Sequence, residues 1–339
     1  MNSSSAIKAD PLPWLLEDSD PGVRYLALRD LCDKPHNDPE MMLARQNAHQ
    51  QGQIAHVLER MDPQGFWMKE GPGYGPKYKS TVWSLLLLAQ LGADFREDQR
   101  ILTACKYMLD HALASGGQFS YNQAPGGTID CLQGNMCWSL LEMGCQDEHL
   151  EKAFEWMART VTGEGIAPAS DKKAPMRYYA YKCGPRFACG ANNKQACAWG
   201  AVKVMMAFGK LPPAARTPLI ESAIQEGIEF LLGSEPAKAE YPNGLEDHPS
   251  RNWWKFGFPV FYVTDILQIV EALAALGVGN DPRLAKTMEL VLSKQDDQGR
   301  WQLEYDYAGK TWRSYGKIHE PNKWVTLRAL RVIKNLSQG

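Results

Sequence analysis

The chain lacks the features that mark several specialised classes of protein. Its 339 residues carry a formal net charge of −2, so no strong field of one sign attracts nucleic acid or an anionic membrane. The apolar run from Val82 to Leu91 is broken by Ser84 and Gln90 and is too short to span a bilayer. The polar stretch Met1 to Asp10 has no apolar signal-peptide core. We therefore expect a cytoplasmic protein with no transmembrane segment and no nucleic-acid partner.

The sequence also lacks strand patterns, linkers and a disulfide framework. No alternating apolar pattern, no Pro/Ser-rich linker and no low-complexity tract occurs, so we predict a single domain over 1–339. Hydrophobic residues make up 44% of the chain, enough for a sizeable core. Eight cysteines without a secretion signal indicate reduced thiols. The eleven Trp and thirteen Tyr serve either core packing or the lining of a cavity.

Similar apolar helices recur along the chain, and each of four ends at a glycine. Glycine adopts the left-handed conformation of a helix C-cap at least cost. Because these helices are apolar nearly all round, both of their sides should be covered. The four predicted helices are Thr81–Gly92, Cys131–Gly144, Ala196–Gly209 and Thr264–Gly277, with further copies at Lys323–Ile333 and, more divergent, Asp20–Leu31.

Helices with one apolar stripe and one polar face lie between these copies. The predicted ranges are Met41–Glu59, Gln99–Leu113, Glu148–Thr160, Pro218–Leu232 and Asp281–Lys294. Alternating inner and outer helices form either an open solenoid or a closed ring. Inner helices that are apolar on both sides favour the ring. The predicted fold class is therefore all-α, an α/α toroid with about six inner and five to six outer helices in one domain.

A turn motif accompanies this alternation. It has the form Gln-x-x-x-Gly-x-Trp at Gln295, Gly299 and Trp301, with weaker copies at 61–67 and 115–121. The motif and the helix pattern resemble the squalene-cyclase and protein-prenyltransferase repeat. The resemblance implies an α/α toroid and extends to class II terpenoid cyclases, to the β subunits of protein prenyltransferases and to uncharacterised single-domain bacterial proteins. It also implies that the turn is a structural clasp between helix pairs.

The chain departs from the chemistry of that family. Class II cyclases protonate an alkene with an Asp-x-Asp-Asp element, which is absent here, and Asp296 and Asp297 belong to the structural turn. Protein prenyltransferases bind zinc through Asp, Cys and His. Asp130 and Cys131 could match part of that set, but no histidine follows on the next inner helices. The resemblance therefore implies a fold and leaves the activity open.

Long loops lead into the inner helices and should gather at one end of the ring. They cover 69–80, 122–130, 171–196, 240–263 and 302–323, and they are rich in aromatic residues, among them Tyr178, Tyr179 and Tyr181. Long loops in a compact domain are usually functional. We expect a lid of aromatics over an apolar cavity. The predicted substrate-binding residues, from these loops and the inner helices, are Tyr78, Trp83, Trp254, Phe258 and Trp199.

Two acids stand at the starts of predicted inner helices. Asp265 follows Tyr262 in an apolar context, which would raise its pKa and suit a proton donor at neutral pH. The alternative is that Asp265 caps the helix, since acids are stabilised at helix N-termini. Asp130 admits the same two interpretations. The predicted catalytic residues are Asp265, Tyr262, Asp130, Cys131 and Cys197.

Cysteines form the second group of candidates. Cys189 and Cys197 lie in one loop and helix start, and Cys131 opens a neighbouring inner helix. Thiolates near helix N-termini can ligate metal or act as nucleophiles. Zinc is thus a possible cofactor, with Cys189, Cys197 and Cys131 as ligands, although the spacing is not that of paired zinc ligands. Buried, inert thiols are the alternative. Lys203, among scattered basic residues, either meets an anionic head group or lies solvated at the surface.

Three functions remain open from the sequence. The first is an isoprenoid- or terpenoid-handling enzyme, a cyclase, isomerase or dehydratase (a lyase), that uses acid–base chemistry in a central apolar cavity. The second is a zinc-dependent enzyme with a cysteine-rich site at the mouth of the toroid. The third is a non-catalytic toroid that binds a hydrophobic ligand or a protein. The expected partner is an isoprenoid-like hydrophobic small molecule, and the oligomeric state is undetermined.

Overall fold

A computed structural model describes residues 7–168, 170–173, 177–178 and 182–338 of the chain. These ranges contain thirteen α-helices and one pair of two-residue parallel strands, Ala167–Pro168 and Arg177–Tyr178. The predicted all-α class is therefore confirmed. Tyr179 and Tyr181 of the predicted aromatic lid lie outside the described residues, and the side chain of Tyr178 is not described.

Six helices form an inner ring: five of them pack in succession, the last packs against the first, and Tyr25 and Leu26 of the first lie against Gly92 at the end of the second. The buried side chains of the described residues form one contiguous hydrophobic cluster. A closed ring covers both sides of every inner helix, which accounts for their apolar composition and excludes the open solenoid. The inner helices are α2 (Pro21–Asp30), α5 (Thr81–Gln90), α7 (Asp130–Glu142), α9 (Ala198–Gly209), α11 (Ile266–Ala275) and α13 (Lys323–Gln338).

The remaining helices lie outside this ring, apart from the short α1 (Leu12–Leu15) that precedes it. They are α3 (Pro39–Gln50), α4 (Gln53–Leu58), α6 (Gln99–Ala112), α8 (Glu148–Thr162), α10 (Pro218–Leu232) and α12 (Ala285–Ser293). The prediction of one helix over Met41–Glu59 was wrong. Gly52 has an extended backbone at the N-cap of α4 and divides this segment into two helices.

Glycines end three of the inner helices as predicted. Gly92, Gly144 and Gly277 have φ values of 80°, 88° and 82°, the left-handed conformation. Gly209 instead remains within α9, where an added Cβ would lie 2.8 Å from the Cβ of Ala275. This glycine is therefore required by the close approach of α9 to α11 rather than by a helix cap.

The repeated turn joins an outer helix to the next inner helix by the same contacts at two places. Trp301 donates its indole N–H to the carbonyl of Val291 at 2.7 Å, and its backbone N–H to Thr326 Oγ1 at 2.9 Å. Trp67 makes the equivalent indole contact to Val57 at 2.8 Å, and its backbone N–H donates to Thr81 at 3.2 Å. Both indoles are fully buried. These turns are structural, as expected.

A loop segment fills the ring centre, which contradicts the predicted apolar cavity. Phe258 stacks on Trp324 at the start of α13, with ring centroids 4.5 Å apart. Val260 exchanges two hydrogen bonds of 2.7 and 2.9 Å with the side-chain amide of Gln90 at the end of α5. Phe261 packs on Trp83, near the start of α5. The segment 258–261 thus runs inside the ring along α5.

A small cavity remains beside this inserted segment. Its volume is about 70 Å³, far below the roughly 300–1,000 Å³ of ordinary ligand pockets. Every inner helix contributes to its lining, which includes Arg29, Gln90, Asn135, Met206, Glu271 and Arg331. The central cavity is therefore small and is lined by both polar and apolar groups. Among the described helices, none is both long enough and apolar enough to cross a membrane.

Candidate active site at the mouth of the ring

Three predicted site residues lie at the starts of inner helices. Asp130 is the first residue of α7, Cys197 is the N-cap of α9 and Asp265 is the N-cap of α11. Because α7, α9 and α11 are successive members of the ring, their N-terminal ends lie side by side. This end is the mouth of the toroid.

Asp265 does not have the apolar surroundings predicted from the sequence. Its carboxylate accepts the backbone N–H of Gln268 at 2.8 Å, which caps α11. Two hydrogen bonds of 2.8 and 3.0 Å join it to Arg328 of α13. Both carboxylate oxygens are therefore engaged in structural contacts, with the start of α11 and with α13. This geometry favours the capping alternative over a proton donor.

Asp130 has the environment that was expected for Asp265. Its side chain is buried, and Oδ1 accepts a hydrogen bond from the thiol of Cys183 at 2.7 Å. Oδ2 is buried and has no hydrogen-bond partner. Burial disfavours the carboxylate and raises the pKa of Asp130 to about 8. The carboxyl is therefore largely protonated at neutral pH and can donate a proton through Oδ2.

Further buried polar atoms without partners flank Asp130. Thr128 Oγ1 precedes it, and Gln133 Oε1 lies one turn later on α7, while the Gln133 amide N–H donates to the carbonyl of Phe119. Buried polar atoms in proteins are normally hydrogen-bonded, because an unpaired one costs about 1–3 kcal/mol. The start of α7 therefore holds three buried polar atoms whose hydrogen bonds are not met by the described residues.

Cysteines form a cluster around this carboxyl. Cys197 donates its thiol proton to the sulfur of Cys189, and the backbone N–H groups of Ala191 and Asn192 also donate to that sulfur. These contacts lower the pKa of Cys189 to about 6, whereas the pKa of Cys197 is raised. Burial raises the pKa of Cys131 to about 12, so this thiol is neutral at pH 7. Among Cys131, Cys189 and Cys197, Cys189 is the thiol that its neighbours activate as a thiolate.

The donor set does not fit the predicted zinc site. Within the described residues, no three Cys, His, Asp or Glu side chains converge in a geometry that could hold a metal ion. Cys189 and Cys197 pair with each other, and Cys131 does not complete a ligand set with them. The spacing of the cysteines along the chain could not show that they form no zinc site, because spacing does not fix the direction in which each thiol points.

Lys203, for which the sequence left open either an anionic head group or a solvated surface position, is buried and is a further functional candidate. It is the only charged residue of α9, and its side chain is 1% exposed. Its ammonium group donates to Gln268 Oε1, and burial lowers its pKa to about 7. Cys131 and Asp265 are both near enough to Lys203 to act on its pKa in the opposite direction to burial. The sequence does contain a signal for this candidate, since Lys203 is a lone lysine in an otherwise apolar inner helix.

Aromatic side chains form a continuous patch beside Cys131. Trp83 lies beneath it and packs on Tyr78 at 5.1 Å and on Tyr262 at 4.9 Å. The aromatic patch consists of Tyr74, Tyr78, Trp83, Phe261, Tyr262 and Tyr307. Tyr74, Tyr78 and Tyr262 are half-buried, so the patch presents ring surface at the mouth. Burial raises the pKa of Tyr262 well above its ordinary value, so its hydroxyl is neutral.

The other predicted substrate-binding residues lie apart from this patch. Trp254 donates its indole N–H to the carbonyl of Ala237 at 2.8 Å. Trp199 packs edge-on against Trp253, and Phe258 belongs to the inserted segment. These three residues do not join the patch of Tyr78 and Trp83, because each packs within its own part of the structure. Tyr78 and Trp83 are the pair that the fold brings together.

Comparisons with solved structures give only distant similarities. A crystal structure of a protein from Actinoplanes shows 11% sequence identity and a TM-score of 0.31, covering 84% of this chain and 97% of the other. The apo type II terpene cyclase MstE from Scytonema shows 14% identity and a TM-score of 0.31, covering 86% and 96%. A variant of MstE in complex with its substrate, geranylgeranyl dihydroxybenzoate, shows 13% identity and a TM-score of 0.33, covering 88% and 97%.

No protein-family model and no curated protein sequence matches the chain. Similarities at this identity and TM-score carry no conclusion about this protein.

Proposed function

We propose that the chain is an acid–base enzyme acting on an isoprenoid-like hydrophobic molecule at the mouth of the ring, with Asp130 as proton donor. The observation that carries the proposal is the buried, unpartnered Oδ2 of a carboxyl whose pKa is raised to about 8. An acid whose pKa lies near the working pH combines the correct protonation state with a usable driving force for proton transfer. The reaction class is that of a cyclase, isomerase or lyase.

The aromatic patch supports a hydrophobic substrate. Tyr74 and Tyr262 lie near enough to Cys131 for ionisation of one group to disfavour that of the other, and Cys131 is the chain neighbour of Asp130. The patch therefore adjoins the acid. Aromatic faces stabilise a developing carbocation by up to about 2 kcal/mol each when water is excluded. A substrate that lay on Tyr74 and Tyr262 would present its alkene or leaving group toward α7.

The roles of the remaining candidates follow from their protonation states and their hydrogen-bond partners. Cys183 holds one oxygen of Asp130 and thereby directs the other. Cys189 is the group best placed to take a proton back, because its pKa is lowered to about 6. Tyr262 and Cys131 stay neutral and line the site. Asp265 is a structural residue in this proposal, because Arg328 neutralises it.

The filled ring centre favours a second candidate function. A toroid whose interior is occupied by its own segment 258–261 resembles a binding module more than an enzyme with an enclosed cavity. In that case the aromatic patch would bind a hydrophobic ligand without turnover. The zinc-dependent alternative is not carried forward, because the cysteines do not form a ligand set.

The test is product formation from a panel of prenyl diphosphates and squalene-like alkenes, read by mass spectrometry. We expect the wild type to convert at least one compound and Asp130→Asn to lose turnover by about 10²-fold or more, the usual contribution of a general acid. Asp110→Asn, which changes an exposed acid on outer helix α6, serves as the matched control and should retain full activity.

Ligand binding separates the two functions. Quenching of tryptophan fluorescence by the same compounds should persist in Asp130→Asn if the patch binds them. Binding without turnover in the wild type would establish the binding module and reject the enzyme. Full turnover by Asp130→Asn would remove Asp130 from the mechanism.

A further inference from the structure

A short hairpin at the mouth of the ring brings two cysteines into contact. An antiparallel bridge joins Ala188 to Ala196. Cys189 and Cys197 each follow one member of this bridge, and side chains alternate along a strand, so both thiols project from the same face of the hairpin. Cys197 donates its thiol proton to the sulfur of Cys189. Two thiols that already touch need only a short further approach to form a disulfide.

Backbone hydrogen bonds hold the hairpin at both cysteines. The N–H of Cys189 donates to the carbonyl of Gln195 at 3.0 Å, and the N–H of Cys197 donates to the carbonyl of Phe187 at 2.9 Å. The turn between them closes on the carbonyl of Cys189, which accepts the N–H of Lys194 at 2.8 Å. The backbone of each cysteine is therefore tied to the opposite strand, which keeps the two side chains together.

The two thiols differ in protonation. The hydrogen bond from Cys197, together with the backbone N–H groups of Ala191 and Asn192, lowers the pKa of Cys189 to about 6. The same contact raises the pKa of Cys197. At neutral pH Cys189 is therefore a nucleophilic thiolate, and Cys197 beside it keeps its proton.

The hairpin lies at the surface of the molecule. Cys197 is half-buried, Cys189 is 7% exposed, and Asn193 and Lys194 of the turn between them are exposed. The oxidation of a cysteine depends on its thiolate character and on its exposure. The pair of Cys189 and Cys197 has both.

A second pair of contacting thiols provides a reference within the same chain. Cys105 of α6 and Cys145, just after α7, also share a hydrogen bond. They are only 0% and 3% exposed. Contact between thiols is thus present in both pairs, whereas a position at the surface distinguishes the hairpin.

We propose that Cys189 and Cys197 are a redox-active dithiol, which hydrogen peroxide oxidises to a disulfide and a small thiol reduces again. The Cys189 thiolate attacks one peroxide oxygen and breaks the O–O bond, which gives a sulfenic acid and a hydroxide that takes a proton from water. The sulfur of Cys197 then attacks the sulfenic sulfur, and the departing hydroxyl leaves as water with the Cys197 proton.

The electrons balance in both directions. Oxidation of the two thiols supplies the two electrons that reduce the peroxide to two waters. Thiol–disulfide exchange with two molecules of a small thiol restores both cysteines and converts those molecules to their own disulfide. The inference does not rest on the proposed function, because it requires neither proton transfer from Asp130 nor a hydrophobic substrate.

Peptide mass spectrometry of the full chain tests the pair. The native protein is treated with hydrogen peroxide, and the remaining thiols are then alkylated with iodoacetamide under denaturing conditions. The peptides that carry Cys189 and Cys197 should be linked and lighter by two hydrogen atoms, and dithiothreitol should restore both thiols. Cys105 and Cys145 should still be alkylated, because they are buried.

Variants separate the roles of the two thiols. Cys197→Ser removes the resolving thiol, so the sulfenic acid of Cys189 should persist and be trapped by dimedone, whereas the wild type should carry no such label. Cys189→Ser should leave Cys197 unoxidised. Cys32→Ser, which changes a half-buried thiol just after α2, is the matched control and should form the same disulfide as the wild type.

Three outcomes would overturn the assignment. They are a wild type in which Cys189 and Cys197 both stay reduced, equal oxidation of Cys105 with Cys145, and a disulfide from Cys189 to Cys131 instead. The wild-type experiment does not require any variant to fold. Its readout is the mass of each thiol rather than turnover, so the inference and the proposed function fail independently.

Discussion

Arg328 and Asp265 form a two-bond ion pair between the last two inner helices. The Nη1–Oδ2 and Nη2–Oδ1 distances are 2.8 and 3.0 Å, and the two side chains are 6% and 5% exposed. Arg328 also holds Glu271 of α11 by two further bonds. This pair fastens α13, which closes the ring, to α11.

Removing the guanidinium should strongly destabilise the fold. Arg328→Met would leave Asp265 and Glu271 buried without a counter-ion, a loss of about 3–5 kcal/mol in the free energy of unfolding. Urea denaturation of the wild type and the variant measures this loss in the free energy of unfolding. The control is Arg283→Met, which breaks an exposed pair with Asp281 and should cost far less. Equal losses in the two variants would contradict this account of the ring closure.

Asp130 should make stability fall as pH rises. Its pKa is raised from 3.8 to about 8, so between these values the folded state retains a proton that the unfolded state has released. Folding then takes up a proton, and the free energy of unfolding decreases by up to about 1.4 kcal/mol per pH unit until the pH passes the folded pKa.

Asp130→Asn should remove this dependence. The variant should be more stable than the wild type by about 2–4 kcal/mol near pH 7, with a smaller difference near pH 4. Urea denaturation across this range provides the measurement, and Asp110→Asn should follow the wild-type curve. A wild type whose stability does not decline from pH 5 to about pH 8 would show that Asp130 is ionised in the fold.

The two tryptophan turns should contribute equally to stability. Trp301→Phe and Trp67→Phe each remove an indole N–H and leave a buried carbonyl, of Val291 or Val57, without its partner. Each variant should lose about 1–3 kcal/mol by urea denaturation. Trp138→Phe, which changes a half-buried indole on α7, is the control and should lose less. A large loss for only one turn would show that the two clasps are not equivalent.

Cys189 should react as a thiolate at lower pH than Cys32, Cys131 and Cys197. The rate of alkylation by iodoacetamide, followed by mass spectrometry of labelled peptides, should rise through a midpoint near pH 6. Cys32, whose pKa is raised by burial, is the internal reference. In Cys197→Ala the midpoint for Cys189 should move upward, because the thiol that donates to it is lost. An unchanged midpoint would mean that Cys197 does not activate Cys189.

The candidate site was only partly predictable from the sequence. The positions of Asp130, Cys197 and Asp265 at helix starts followed from hydrophobic patterning. The sequence did not predict that Asp265 is ion-paired whereas Asp130 is not. That difference depends on Arg328, which is 63 residues from Asp265 along the chain. In the same way Lys203 appeared as one basic residue among several until the ring enclosed it.

The sequence by itself determined the helices, their alternation between inner and outer layers, and the turns that join them. These features depend on contacts within a few residues or on a period that the chain repeats. The tertiary structure alone decided the closure of the ring, the insertion of segment 258–261 and the partner of each buried charge. Such contacts join distant residues, and the free energy of a buried charge depends on which groups surround it in three dimensions.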